Sequence, residues 1–278
     1  MRSNDRELNN AHGSVLTRSC WARSTVIAAD VFSVRDRIAI VTGASSGLGQ
    51  RFARVLAANG ANVLAVARRA ERLDALAAEV PGIVPHVADL SNEAQRGTVV
   101  AAAIATFGRV DVLINNAGYG DPMLATKEPV GDFRAMLELN LVAAFELARL
   151  AATPMMEAGR GSIINIASIL GLVASTPIPG ASYAASKGGL VNLTRLLGCE
   201  WGRKGVRVNA IAPGFFPTEA TAGMEAGQPV GDYVLQNCPM RRFGDDHELD
   251  GVLLYLASDA STYCTGQTLV VDGGWTAR

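Results

Sequence analysis

The chain has 278 residues, is 49% hydrophobic and carries a formal net charge of -1, so it can bury a sizeable core and has no charge excess of the kind that grips nucleic acid. No run of eighteen uncharged apolar residues occurs, and no membrane-spanning helix is expected. Four scattered cysteines (Cys20, Cys199, Cys238, Cys264) and three distant histidines exclude a disulfide framework and metal-ligand spacing, and reduced thiols point to a cytoplasmic protein.

Residues 1–34 read as a flexible N-terminal extension, polar at first and then basic without acids around 16–23, weakly similar to an organellar presequence. A single catalytic domain is expected from residue 35 to 278. Short runs rich in Val and Ile at 37–43, 61–67, 83–87, 110–115, 161–167, 206–212 and 267–271 predict strands. The spacing predicts helices over 48–59, 69–79, 92–107, 133–156, 183–201 and 247–257, the fourth of them broken near Pro154. Strands alternating with helices give an α/β fold with a parallel sheet covered on both faces. The segment 219–243 lacks a clear period and is expected to be a loop-like lid.

The first strand runs into TGASSGLG at 42–49. At a strand-to-helix junction such a turn cradles a pyrophosphate: Gly43 makes the turn, Gly47 lets backbone approach the phosphate, and Gly49 lets the helix pack close. Ser45, Ser46 and Leu48 complete the loop. An Asp or Glu closing the second strand would hold the ribose 2'-OH of NAD, but Ala67 stands there, followed by Arg68 and Arg69. A guanidinium suits a 2'-phosphate, so NADP(H) is preferred and NAD(H) is possible. Arg68 is the better candidate for that contact and Arg69, which opens the next helix, the second. Asp89, followed by Leu90, could accept a hydrogen bond from the adenine amino group or cap a helix.

The chain resembles the short-chain dehydrogenase/reductase family, with similarity to 3-oxoacyl-acyl-carrier-protein reductase-like members. The resemblance rests on TGASSGLG at 42–49, NNAG at 115–118, Asn140, Ser168, YAASK at 183–187 and PG at 213–214. It implies a single-domain Rossmann fold with a doubly wound sheet of about seven strands, assembly as a homotetramer or homodimer, and hydride transfer between a nicotinamide and a carbonyl or alcohol. It also implies catalytic roles for Asn140, Ser168, Tyr183 and Lys187. Coenzyme contacts are implied for Asn116, Ala117, Gly118, Tyr183, Lys187, Pro213, Gly214, Phe216 and Thr218. In elementary terms, a carbonyl that receives hydride must gain a proton. Tyr183 can supply it if a cation one helical turn away favours the phenolate. Ser168 can orient the substrate oxygen, and the family's Asn holds a relay water near its lysine.

Two features depart from the family pattern. Tyr183 follows Ser168 by fifteen positions, slightly more than is common, and Ser46 stands where many NADP-linked members carry a basic residue. The expected pocket walls include Met123, Leu170, Val173, Phe215, Phe216 and Met224. Their apolar character favours an NADPH-dependent ketone or 3-oxoacyl reductase. An NAD-dependent alcohol, polyol or sugar-acid dehydrogenase is the alternative, and a non-catalytic nucleotide-binding regulator is a third reading.

Overall fold

The computed structural model describes residues 27–174, 178–221 and 226–278. Seven strands form one sheet: β1 (Ile38–Thr42), β2 (Asn62–Ala67), β3 (Ile83–Val87), β4 (Val112–Asn115), β5 (Gly161–Ile166), β6 (Val206–Pro213) and β7 (Thr268–Val271). All pairings are parallel, in the order β3-β2-β1-β4-β5-β6-β7. The strand order reverses at β1 and β4, so the chains leaving these two strands diverge and open a crevice at the carboxyl edge.

The helices are α1 (Ala28–Val31), α2 (Gly47–Ala58), α3 (Ala70–Glu79), α4 (Glu93–Arg96), α5 (Thr98–Phe107), α6 (Val130–Leu137), α7 (Ala143–Glu157), α8 (Ala181–Trp201), α9 (Pro229–Asn237) and α10 (Asp250–Ala257). On one face of the sheet Phe52, Leu56, Leu73, Leu253 and Leu256 form a core from α2, α3 and α10. On the other, Val99, Leu147, Met155, Leu197 and Trp201 do so from α5, α7 and α8. Burial on both faces explains why β1 and β4 are continuous apolar runs instead of alternating ones.

Three sequence expectations change. The predicted break at Pro154 is absent: α7 continues through it to Glu157, without the one backbone bond that the proline cannot donate. The irregularity lies upstream, in a π-helical turn at Glu138–Val142 centred on Asn140, and such turns are frequent at functional sites. The aperiodic segment after 219 contains a true helix, α9, opened by Pro229 at its first position and anchored by the buried Val234 against Trp275 and Ile169. The domain boundary at 34/35 is not a packing boundary. Val34 is fully buried in the core, and Phe32 rests 6.5 Å from the Tyr255 ring.

Candidate active site

The crevice above β1 and β4 widens into a groove of about 440 Å³. Its floor is the turn after β1. Gly43 takes a left-handed conformation at φ +68°, and a Cβ on Gly49 would stand 2.3 Å from the Gly43 carbonyl oxygen. The start of α2 therefore packs against the turn as no larger residue would allow. No side chain caps α2 and its first turn has no acid, so its N-terminus presents uncommitted N–H groups and a positive dipole end to the groove.

The loops from neighbouring strands are tied to this turn. Thr42 Oγ1 accepts the N–H groups of Asn116 (2.9 Å) and Ala117 (3.0 Å), while Asn116 Nδ2 donates to the Thr42 carbonyl at 2.9 Å. Asn115 Nδ2 donates to Asn165 Oδ1 on β5 at 2.9 Å, and Asn165 Nδ2 donates to Thr194 on α8 at 2.9 Å. The amides of the NNAG run thus lock β4 to β1 on one side and to β5 on the other. Thr218 in the loop after β6 lies over Gly47.

At the far end Ser168, Tyr183 and Lys187 meet. Tyr183 is hydrogen-bonded to the Ser168 side chain. Lys187 Nζ sits 5.6 Å from the Tyr183 ring centroid and donates to the Ile166 carbonyl at 2.8 Å. Burial raises the Tyr183 phenol above its ordinary value, with the Ser168 hydrogen bond opposing that rise. Burial also holds the Lys187 ammonium down to about 8. In this structure desolvation is the larger influence on both groups.

Asn140 stands one layer behind. Its Oδ1 accepts the Tyr119 N–H at 3.0 Å, and its Nδ2 donates to the Tyr119 carbonyl at 2.8 Å and to Ser186 Oγ at 3.2 Å. A Cβ on Gly118 would lie 2.8 Å from Asn140 Oδ1 and 3.6 Å from Lys187 Nζ. Here the bareness of Gly118 makes room for these two side chains.

At the opposite end Arg68 is exposed along the groove. Arg69, the second candidate for the 2'-phosphate, reaches back to Ser45 Oγ (Nε, 3.1 Å) and Ser46 Oγ (Nη2, 2.6 Å). Asp89 caps no helix. Its Oδ1 accepts the N–H and hydroxyl of Ser91, which hold its carboxyl below the ordinary range, and Asn92 caps α4 instead.

This geometry has close counterparts. A family profile described as Enoyl-(Acyl carrier protein) reductase matches residues 43–276. The chain is 35% identical to the 3-oxoacyl-[acyl-carrier-protein] reductase FabG of Thermotoga maritima, over 87% of this chain and 98% of that protein. The chain belongs to the short-chain dehydrogenase/reductase family. It is also 37% identical to the galactitol 2-dehydrogenase (L-tagatose-forming) of Cereibacter sphaeroides, over 88% of this chain and 97% of that one. Among solved structures, a gluconate 5-dehydrogenase from Burkholderia cenocepacia in complex with NADP and tartrate superposes with a TM-score of 0.85 at 34% identity, covering 91% of this chain and all of the other. The protein is an NAD(P)-dependent oxidoreductase of this family.

As in a short-chain dehydrogenase/reductase, one groove gathers the expected residues. All of the catalytic and coenzyme residues named from the sequence line it except Gly49 and Asn140, which support it from beneath, whereas the expected walls Met123, Leu170 and Val173 do not line it. Sequence reasoning missed Glu219, Thr221 and Tyr119, which also line it. Glu219 carried no local signal, since its partners Arg69 and Arg72 lie far away in sequence. Phe215, expected as a pocket wall, packs instead against Trp275 with ring centroids 4.9 Å apart, and Met224 lies outside the described residues. Among the described residues no helix is long and apolar enough to cross a membrane, and no three His, Cys, Asp or Glu side chains could share a metal.

Proposed function

We propose that the protein is an NADP(H)-linked dehydrogenase of polyhydroxylated secondary alcohols, of the polyol or sugar-acid class, and that it interconverts the alcohol and its ketone. The observation that carries the reaction type is the meeting of Ser168, Tyr183 and Lys187 at one end of a groove whose other end is a glycine turn beneath an uncapped helix. The glycine turn, the free N-terminus of α2 and the arginines after β2 fit a dinucleotide with a 2'-phosphate. When bound, the nicotinamide supplies or accepts the hydride.

The chain's own groups manage the proton and the positions. Tyr183 gives its hydroxyl proton to the nascent alkoxide in reduction and, as the phenolate, removes the alcohol proton in oxidation. Ser168 donates to the same oxygen and fixes it. Lys187, when charged, favours the phenolate that reduction leaves on Tyr183. Asn140 positions Tyr119 and the end of α8 through the bonds described above.

The substrate class is supported by relatives named for galactitol and gluconate. Within that class a neutral polyol fits better than a sugar acid. Residues 110–126, 161–186 and 214–240, which supply the loops around the substrate end, contain no lysine or arginine but include Asp121, Glu219 and Asp232. Beyond Lys187, which follows the second of these segments, a carboxylate would find no matching cation within them. A ketone or 3-oxoacyl reductase is the second reading, favoured by the Thermotoga maritima relative and by the apolar Leu172 and Val173. Initial rates with NADP and NAD on galactitol and gluconate, set beside NADPH-dependent reduction of a 3-oxoacyl thioester, test the choice. Fastest turnover of the thioester would overturn the polyol reading. For assembly, the exposed Val142 and Phe145 at the start of α7 and Leu196 on α8 support a homodimer or homotetramer.

A further inference from the structure

The loop after β6 places a carboxylate among the groups best suited to a phosphate. Glu219 Oε2 lies 3.0 Å from Arg69 Nη1, and Oε1 pairs with Arg72 Nη1. The Ser46 hydroxyl also hydrogen-bonds this carboxylate. Arg69 in turn is steadied by Ser45 and Ser46. Two guanidiniums and a hydroxyl converge on one anion, the donor set that recognises a phosphate monoester. The cluster sits where β2 gives way to α3, the point from which this kind of fold reads the 2' position of the adenosine ribose. Glu219, Ser46 and Arg69 all line the groove.

We propose that Glu219 is a built-in competitor for the 2'-phosphate of the coenzyme and thereby a selectivity-determining residue. Arg69 and Arg72 can satisfy Glu219 or a 2'-phosphate, and a coenzyme bearing that phosphate must displace the carboxylate. Displacement releases the loop after β6, which is otherwise latched to the turn after β1 and to α3. A coenzyme with a free 2'-OH leaves the latch closed. NADPH therefore binds against an internal anion while NADH does not, and the preference for NADPH is narrower than the arginines alone would set. This rests on the NADP(H) reading above, but the shift that tests it does not depend on which coenzyme the wild type prefers.

The experiment compares the wild type with Glu219→Gln and Glu219→Ala. Dissociation constants for NADPH and NADH come from fluorescence titration, and those for adenosine 2',5'-bisphosphate and 5'-AMP from calorimetry. In both variants NADPH and the bisphosphate are expected to bind about fivefold tighter, the scale of one exposed ion pair released. NADH and 5'-AMP should stay within about twofold. Glu79→Gln, which removes an exposed carboxylate paired with Arg54, controls for net charge and should shift nothing. Unchanged or weaker NADPH binding in the Glu219 variants overturns the proposal. So does equal tightening of NADH, or the same shift in Glu79→Gln. A wild type that binds NADH better refutes the NADP(H) reading alone. The latch then stands if Glu219→Gln tightens NADPH selectively and falls if it does not.

Discussion

Tyr119 and Asn140 hold one another by two hydrogen bonds, N–H to Oδ1 at 3.0 Å and Nδ2 to carbonyl at 2.8 Å. The loop after β4 is thereby fastened to the π-helical turn, and the fastening explains the presence of a buried Asn inside a helix, where its side chain would otherwise compete with the backbone. Asn140→Ala strands both Tyr119 groups in a part-buried site. It should cost about 1–3 kcal/mol of stability in urea unfolding, and a larger share of kcat than of coenzyme affinity. A variant with wild-type stability and turnover would show that the loop holds itself.

Tyr183→Phe keeps the ring and loses the ionisable hydroxyl. Turnover on a responsive substrate should fall by at least about 10²-fold, while fluorescence titration still reports NADPH binding. Near-normal turnover would remove Tyr183 from the proton-transfer role.

The Lys187 ammonium, depressed by burial to about 8, makes stability depend on pH. An unfolded chain keeps this lysine protonated to about 10.4, so between about 8 and 10 the unfolded state binds the extra proton and stability rises with pH. The full rise is roughly 3 kcal/mol. Unfolding free energies at pH 8 and 10 should show the increase in the wild type and a smaller one, or none, in Lys187→Met.

Arg68 is exposed on the groove and makes no claim on Glu219, which leaves it available to the coenzyme. Arg68→Asp should shift the kcat/KM ratio from NADPH toward NADH by at least roughly tenfold, the scale of one charge-assisted contact. An unchanged ratio would assign the 2'-phosphate to Arg69 and Arg72 alone.

Val34 is completely buried although it precedes the first strand. Val34→Ala should cost about 1.5–3 kcal/mol by removing two methyl groups from the core. Truncation to residue 27, which retains Val34 and Phe32, should leave the melting temperature close to that of the full chain.

Much of this was legible before any coordinates. The alternation of strands and helices, the glycine turn, and the Ser168, Tyr183 and Lys187 set are local patterns, and each of them falls where the sequence placed it. The π-helical turn was not legible, because the contact that Asn140 makes from it, to Tyr119, lies twenty-one positions away. Nor was the Glu219 cluster, whose partners are 150 and 147 positions off. Helix α9 was missed because Gly231 and the polar residues around it blur the period, and only packing on Trp275 selects its buried face. The opposed shifts of Tyr183 and Lys187 are a matter of burial, which spacing along a helix does not reveal.

The parallel sheet also divides the labour of the molecule spatially. The dinucleotide end of the groove draws on the loops after β1, β2, β3 and β4 together with Thr218 and Glu219 from the loop after β6, whereas the chain leaving β5 runs to the substrate end. The two sets meet through Ser168, Tyr183 and Lys187, anchored on β5 and α8. Exchanging the stretch between Ser168 and Tyr183 for that of a relative with a different appetite, with Thr218 and Glu219 kept, should therefore retarget the protein while leaving its redox engine intact.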